Sequence, residues 1–258
     1  MAKSKAVATK QSPGALTNWR DRAKQSISTR KEVNNKLPGG GGLSLSLRGG
    51  EMKIGGENQD NPLPMIILAS APIRAYYEKA WKDGSKDSPT CYSFDTLRPH
   101  TAVEEPENDV CKSCPNNAFG SARQGTGKAC QEGVRLAFIT ADVLDSPESI
   151  PDSPIVTTKL SVLNTKHWKK YTEAFGEDDA LWQWVTGLKN QPDGKSQYKV
   201  SFARTHMPQD DSIMAEIAGR VDEAEALLVQ PFPKPGAEEQ APAKSDRPRK
   251  FQKPGAKK

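Results

Sequence analysis

Long apolar runs are missing from this 258-residue chain. The longest, Met65-Ile66-Ile67-Leu68-Ala69, is strand-sized and far short of the roughly 18 to 20 apolar residues that a membrane-spanning helix needs. Hydrophobic residues make up only 35% of the sequence while 27% is charged, too polar for one core packed along every position, so disordered ends are expected. Histidines number three (His100, His167 and His206), and none lies in a recognisable catalytic motif. Gly-x-Ser-x-Gly, His-Glu-x-x-His and the dinucleotide-binding glycine fingerprint are all missing. A non-enzymatic protein is therefore expected. Met1-Ala2-Lys3-Ser4-Lys5 leads into polar residues rather than an apolar stretch, so no signal peptide is expected, and a soluble cytoplasmic protein is the natural reading.

What the chain does have is an uneven charge distribution. Residues 1–60 hold 11 Lys and Arg against 5 Asp and Glu, and residues 234–258 hold 8 against 3. The stretch between them carries a net −6, so two basic arms flank a mildly acidic middle, although the total is only +5. Basic arms suit phosphate backbones, because each neutralised phosphate releases condensed counterions. They also serve simply as solubilising tails.

The local pattern predicts an α+β fold with a mixed or antiparallel sheet, OB-like as a barrel or an open sheet. A disordered arm and glycine hinge over 1–42 precede a core over 43–232, and a disordered basic tail follows over 233–258. A short helix around Leu16–Ser26, with Trp19 on one face, is expected to form only on binding. Leu43 to Leu47 alternates as a half-buried strand, Gly49-Gly50 turns, and Glu51–Gly56 reads as its hairpin partner. Pro64–Ser70, Val134–Ala141, Val156–Leu163 and the alternation Tyr198, Val200, Phe202 read as further strands. Helices are expected over Ile73–Trp81, from Thr165 through Phe175, over Asp179–Lys189, and over Asp211–Leu228 with Ile213, Ile217, Val221 and Ala224 on one stripe.

All four cysteines fall in one window, Cys91-x19-Cys111-x2-Cys114-x15-Cys130. Cys111-Lys112-Ser113-Cys114 suits a tight knuckle whose thiolates meet one ion, and Cys91 and Cys130 would complete a four-thiolate zinc site. Such a closed shell leaves no open position for substrate, so the Zn2+ would be structural and would pin a loop-rich segment, 88–135. Two disulfides, a redox pair, unrelated thiols, or His100 in place of one cysteine are the competing readings. Gly125-Thr126-Gly127-Lys128 superficially resembles a phosphate loop. Ala122 stands where that pattern needs Gly, and Ala129 where it needs Ser or Thr, so the ATPase reading fails. The loop still offers Arg123 and Lys128 to a nucleic-acid backbone, or is a solvated turn.

The run Cys111-x2-Cys114-Pro115-x-Asn117-x-Phe119-Gly120-Ser121, with Gly125-x-Gly127-Lys128-x-Cys130 and Arg135-Leu136, resembles a phage-encoded zinc-containing family of replication and recombination proteins. In organisation the chain is also similar to phage single-stranded DNA-binding proteins that carry zinc within an OB-fold. The resemblance implies a non-enzymatic single-stranded DNA-binding protein working in phage replication or recombination, in the host cytoplasm, with RNA and replication proteins as further candidate partners. Such binding needs aromatic platforms for bases beside cations for phosphates. The candidates are Tyr77 and Tyr92 near the cysteines, Trp168 and Tyr171 with Lys166, Lys169 and Lys170 around them, and Arg123 and Lys128 in the loop. Tyr76, Trp81, Phe94 and Tyr198 complete the aromatic set. Asp178-Asp179 and Asp210-Asp211 invite a two-metal nuclease, but helix N-terminal acids explain them better. A virion or host-takeover adaptor is the alternative from another class.

Overall fold

The computed structural model describes residues 43–79, 88–194, 197–206 and 210–232, all within one compact unit, Gly41–Lys258. The expected N-terminal arm with its Leu16–Ser26 helix, the basic tail and Trp81 lie outside the described residues.

The apolar run Met65–Ala69 lies in the long central strand of an antiparallel sheet. Among the described residues, nine strands occur in chain order: β1 (Leu45–Ser46), β2 (Lys53–Ile54), β3 (Glu57–Asn58), β4 (Leu63–Tyr76), β5 (Cys91–Ser93), β6 (Gln131–Thr140), β7 (Val156–Leu160), β8 (Val185–Asp193) and β9 (Gln197–His206). The main sheet runs β7-β6-β4-β8-β9, with β5 also pairing with β4, and β1-β2-β3 forms a second, smaller sheet. Every pairing between these strands is antiparallel. The fold is therefore mixed α+β. β7 and β9 end the main sheet, and no closed barrel forms among the described residues.

A register shift between Ile67 and Ala69 explains why the apolar run does not alternate. The extra residue turns Leu68 and Ala69 to the same side as Ile66, leaving Met65 and Ile67 on the other. On the first face, Leu63, Met65, Ile67, Leu136 and Phe138 pack beneath helix α1 (Val162–Thr172) and the small sheet, which contributes Leu45, with Met52 just before β2. On the second face, Ile66, Leu68, Ala137 and Ile139 meet helices α2 (Asp211–Ala218) and α3 (Val221–Leu228) and the 3-10 turns Ala141–Asp145 and Pro147–Asp152. The sheet is covered on both sides.

The Gly49-Gly50 turn is a 3-10 turn at positive φ, and Gly50 lies so close to Tyr198 that a Cβ there would overlap the ring. Tyr198 is thus packed under a turn.

Three sequence expectations change. Ile73–Tyr76 is the end of β4, because β5 and β6 offer it hydrogen-bond partners on both sides. Only Leu181–Gln183 is helical within 179–189, as a 3-10 turn, and Val185 onward is β8, a strand buried between β4 and β9. The Asp211–Leu228 helix breaks at Gly219-Arg220. There the Arg220 side chain turns inward to bond Glu223 and the backbone and hydroxyl of Ser153, and its Nη1 donates to Ile150 O.

Candidate metal centre and nucleic-acid interface

The long strand β4 outruns the main core and carries its last residues to the cysteines. Cys91 starts β5 opposite Tyr76, and Cys130 immediately precedes Gln131, which pairs with Ala75. Cys91 and Cys130 therefore flank the end of β4 from its two sides. Cys111 opens a 3-10 turn, Cys111–Ser113, and Cys114 precedes another, Pro115–Asn117. Backbone bonds knit these pieces together: Cys111 N–H donates to Leu97 O at 2.9 Å, Asn117 N–H to Cys114 O at 2.9 Å, and Cys130 N–H to Asn116 O at 2.7 Å. Asn117 Nδ2 closes the knuckle on Cys111 O at 3.0 Å.

All four cysteines are free thiols. Burial above all, then Cys111, Cys114 and Cys91 in that order, push the Cys130 thiol up to about 11, with Arg74 opposing them. Burial also raises Cys91, with Cys111 and Cys114 contributing, while the backbone N–H of Glu107 works against them. The four sulfurs thus share one electrostatic neighbourhood. Among the described residues, however, no three His, Cys, Asp or Glu side chains converge closely enough to hold a metal ion as they stand. His100 is engaged elsewhere. Its ring stacks on Tyr92 with centroids 5.3 Å apart, and its Nδ1 accepts the Ala102 N–H at 3.2 Å.

Neither hydrophobic core draws on residues 91–130. The segment has instead a local aromatic cluster of Tyr92, Phe94, His100 and Phe232, and Arg135 lies over the Phe94 and Phe232 rings at 5.5 and 5.4 Å. Beside Cys130 stands an arginine whose Nε and Nη1 are buried and find no hydrogen-bond partner among the described residues.

That arginine, Arg74, bonds Glu132 across the β4–β6 ladder at 3.1 Å. Glu132 also takes Lys128 at 3.2 Å, and Lys128 donates to Asn117 Oδ1 at 3.1 Å. Lys128 Nζ stands 5.1 Å above the Phe119 ring, which is 82% exposed. Between them the glycine-rich loop folds back on itself, with Gly120 and Ala122 N–H donating to Gly127 O. Arg123 is exposed in that loop.

The expected interface residues separate into two groups. Arg123 and Lys128 belong to the cysteine segment. Lys166, Lys169 and Lys170 lie on α1, where Lys169 pairs with Glu173 at 3.7 Å. Trp168 and Tyr171 correct the sequence expectation: both are core residues, packed on each other and on Phe202, and Tyr171 Oη shares a 2.6 Å hydrogen bond with Thr186. At 6% exposure Trp168 has no ring face free for a base. Tyr92 is likewise buried in the aromatic cluster. Tyr77 is half-buried with Lys159 Nζ 5.5 Å from its ring centroid. Asp210 caps α2 as expected, accepting from the Ser212 and Ile213 N–H groups, whereas Asp179 caps only a turn by accepting the Gly176 N–H.

Sequence reasoning passed over Phe119 and Arg74. A signal for Phe119 was available, since an aromatic placed before glycine in a polar, glycine-rich loop has no apolar neighbours to bury it. Arg74 gave none, because only the ladder brings it beside Cys130. No family model, curated protein or solved structure matches this chain.

Proposed function

We propose that the chain is a non-enzymatic single-stranded DNA-binding protein of phage replication or recombination, in which a structural zinc on Cys91, Cys111, Cys114 and Cys130 stiffens a loop that grips the strand. The carrying observation is Phe119, a ring 82% exposed with the Lys128 ammonium 5.1 Å from its centroid. An exposed ring next to a cation is the combination that base stacking and phosphate contact both need. Exposed Arg123 and Lys112 add charge on the same segment. Stacking is thus assigned to the loop and not to an OB-type barrel groove. Zinc would supply cross-linking energy to a segment that contributes to neither core. Lys166, Lys169 and Lys170, with the basic arms, would add phosphate contacts of lesser geometric definition.

Oligo-dT and duplex binding, each titrated with salt, test this reading. Phe119→Ala should keep its fold and lose about 1 to 3 kcal/mol of oligo-dT affinity. Unchanged affinity, or no binding of oligo-dT by the parent chain, overturns the proposal. Metal-dependent cleavage of the oligonucleotide would point to the nuclease reading instead. A second reading, a docking module for another protein, is favoured by Leu97 and Val110. They are 66% and 42% exposed and adjoin the Cys111 N–H to Leu97 O bond.

A further inference from the structure

Two cations stand side by side on the sheet. Arg135 on β6 pairs directly with Lys159 on β7 and with Ala71 on β4. Alternation along β6 puts Gly133 and Arg135 on the face opposite Glu132, which carries Lys128. The space at Gly133 agrees, since a Cβ there would stand 3.5 Å from Lys159 Cε and 3.6 Å from Ile73 Cγ2. It would also collide with Leu160 O, so the position stays without a side chain. Ala71 and Gly133 thus give the two cations a low floor. Tyr77 adds a wall, with Lys159 Nζ 5.5 Å from its ring centroid. The Arg135 guanidinium is held over Phe94 and Phe232, and its Nη1 donates to Leu228 O, the last residue of α3.

Like charges directly opposite each other in a sheet repel, and more so away from bulk water. Both side chains are half-buried, and among the described residues no carboxylate pairs with either. Burial lowers the pKa of both. At Lys159 the Cys130 sulfur opposes this and Arg135 adds to it; at Arg135 Tyr77 opposes it. An anion seated between the two would replace repulsion by two charge-assisted contacts. An arginine fork beside a lysine point charge suits the oxygens of a phosphate group.

We propose that Arg135 and Lys159, walled by Tyr77, form a binding site for a phosphate group on the face of the sheet opposite the Lys128–Glu132 pair. The site stands without the zinc and single-stranded DNA readings. It takes the phosphate oxyanion, whether a nucleic-acid strand or a free phosphate carries it.

Thermal melts of the full chain in inorganic phosphate and in chloride, at one pH and one ionic strength, test the site. Phosphate at roughly ten times its Kd should raise the Tm of the parent by about 3 to 5 °C. In Lys159→Met the rise should fall below about 1 °C, whereas Lys189→Met, which removes an exposed charge on β8, should keep it. No rise in the parent, or an equal rise in Lys159→Met, overturns the proposal. Loss of the rise in Lys189→Met overturns it too, because net charge would then be the cause. A second measurement needs no variant and so holds even if Lys159→Met does not fold. In the isotope-labelled parent, the Arg135 side-chain N–H resonances should shift saturably with phosphate and stay in place with chloride. Resonances that do not move overturn the proposal. Oligo-dT tells the two sources apart. If a strand supplies the phosphate, Lys159→Met should lower the salt slope of oligo-dT binding by about one unit. An unchanged slope assigns the site to a free phosphate group. A chain that takes phosphate here and binds no oligo-dT overturns the single-stranded DNA reading and leaves this site standing.

Discussion

Asp95 shows how one exposed carboxylate organises the cysteine segment. Its Oδ1 accepts from the Ser93 hydroxyl at 2.8 Å and from the Leu97 and Arg98 N–H groups at 2.8 and 3.1 Å. These donors hold its pKa below the ordinary carboxylate value, led by the Leu97 N–H. The turn it closes sets Leu97, whose carbonyl receives the Cys111 N–H. A carboxylate with a depressed folded pKa contributes stability that is complete above the unfolded value of about 4 and is lost as pH falls through the folded value. Asp95→Asn, which imitates the protonated form, should therefore melt below the parent at pH 7, and the gap should shrink below about pH 4. Thermal melts at both pH values check this; a gap that widens in acid would contradict it. Motif and spacing made the four cysteines legible. Arg74 was not, because strand pairing between positions almost sixty residues apart places it.

Among the elements, α1 separates a plausible sequence reading from the structural one. A tryptophan ringed by three lysines looks like a base platform, yet the helix turns Trp168 and Tyr171 onto Phe202 and leaves Lys166, Lys169 and Lys170 outside. Trp168→Ala should accordingly cost about 3 to 5 kcal/mol of stability, as large aromatic truncations in cores do. Lys169→Ala should change stability by less than about 0.5 kcal/mol, since its ion pair is exposed. Denaturant unfolding of both variants checks the contrast, and a stable, folded Trp168→Ala protein would contradict it. The α2–α3 junction carries the opposite lesson. The stripe Ile213, Ile217, Val221, Ala224 suggested one continuous helix, but buried Arg220 staples the break to Ile150 and Ser153. Arg220→Met strands those acceptors and should cost about 1 to 3 kcal/mol in the same assay. β8 differs from its sequence expectation for a related reason. Its two large apolar residues, Val185 and Leu188, are three apart, a spacing that suits a helix face, and the buried Thr186, Gly187 and Asn190 give no alternation.

For the chain as a whole, the main sheet and the cysteine segment are stabilised by different means. Two clusters cover the sheet, and neither includes a residue from 91 to 130. On the proposed zinc reading, a chelator should open residues 94–130 to protease while the sheet keeps its far-ultraviolet signature and cooperative melt. Loss of the whole fold on chelation would show that the two parts are coupled. Removing residues 1–37 and 234–258 takes away 17 basic residues and should flatten the salt dependence of oligo-dT binding without unfolding the sheet. An unchanged salt slope would exclude the arms as phosphate contacts.

Composition and spacing alone determined the polarity of the ends, the α+β class, most strand positions and the clustering of the cysteines. These depend on local period and on residue type, and both can be read along a single chain. Tertiary structure alone decided that Trp168 is core, that Phe119 is bare, and that Arg74 pairs with Glu132. Each of those outcomes depends on what lies across a strand or beneath a helix. A bulge at Leu68 or a partner strand for Ile73–Tyr76 leaves no mark in local pattern, because the side chains there satisfy helix and strand rules equally well until the ladder forms.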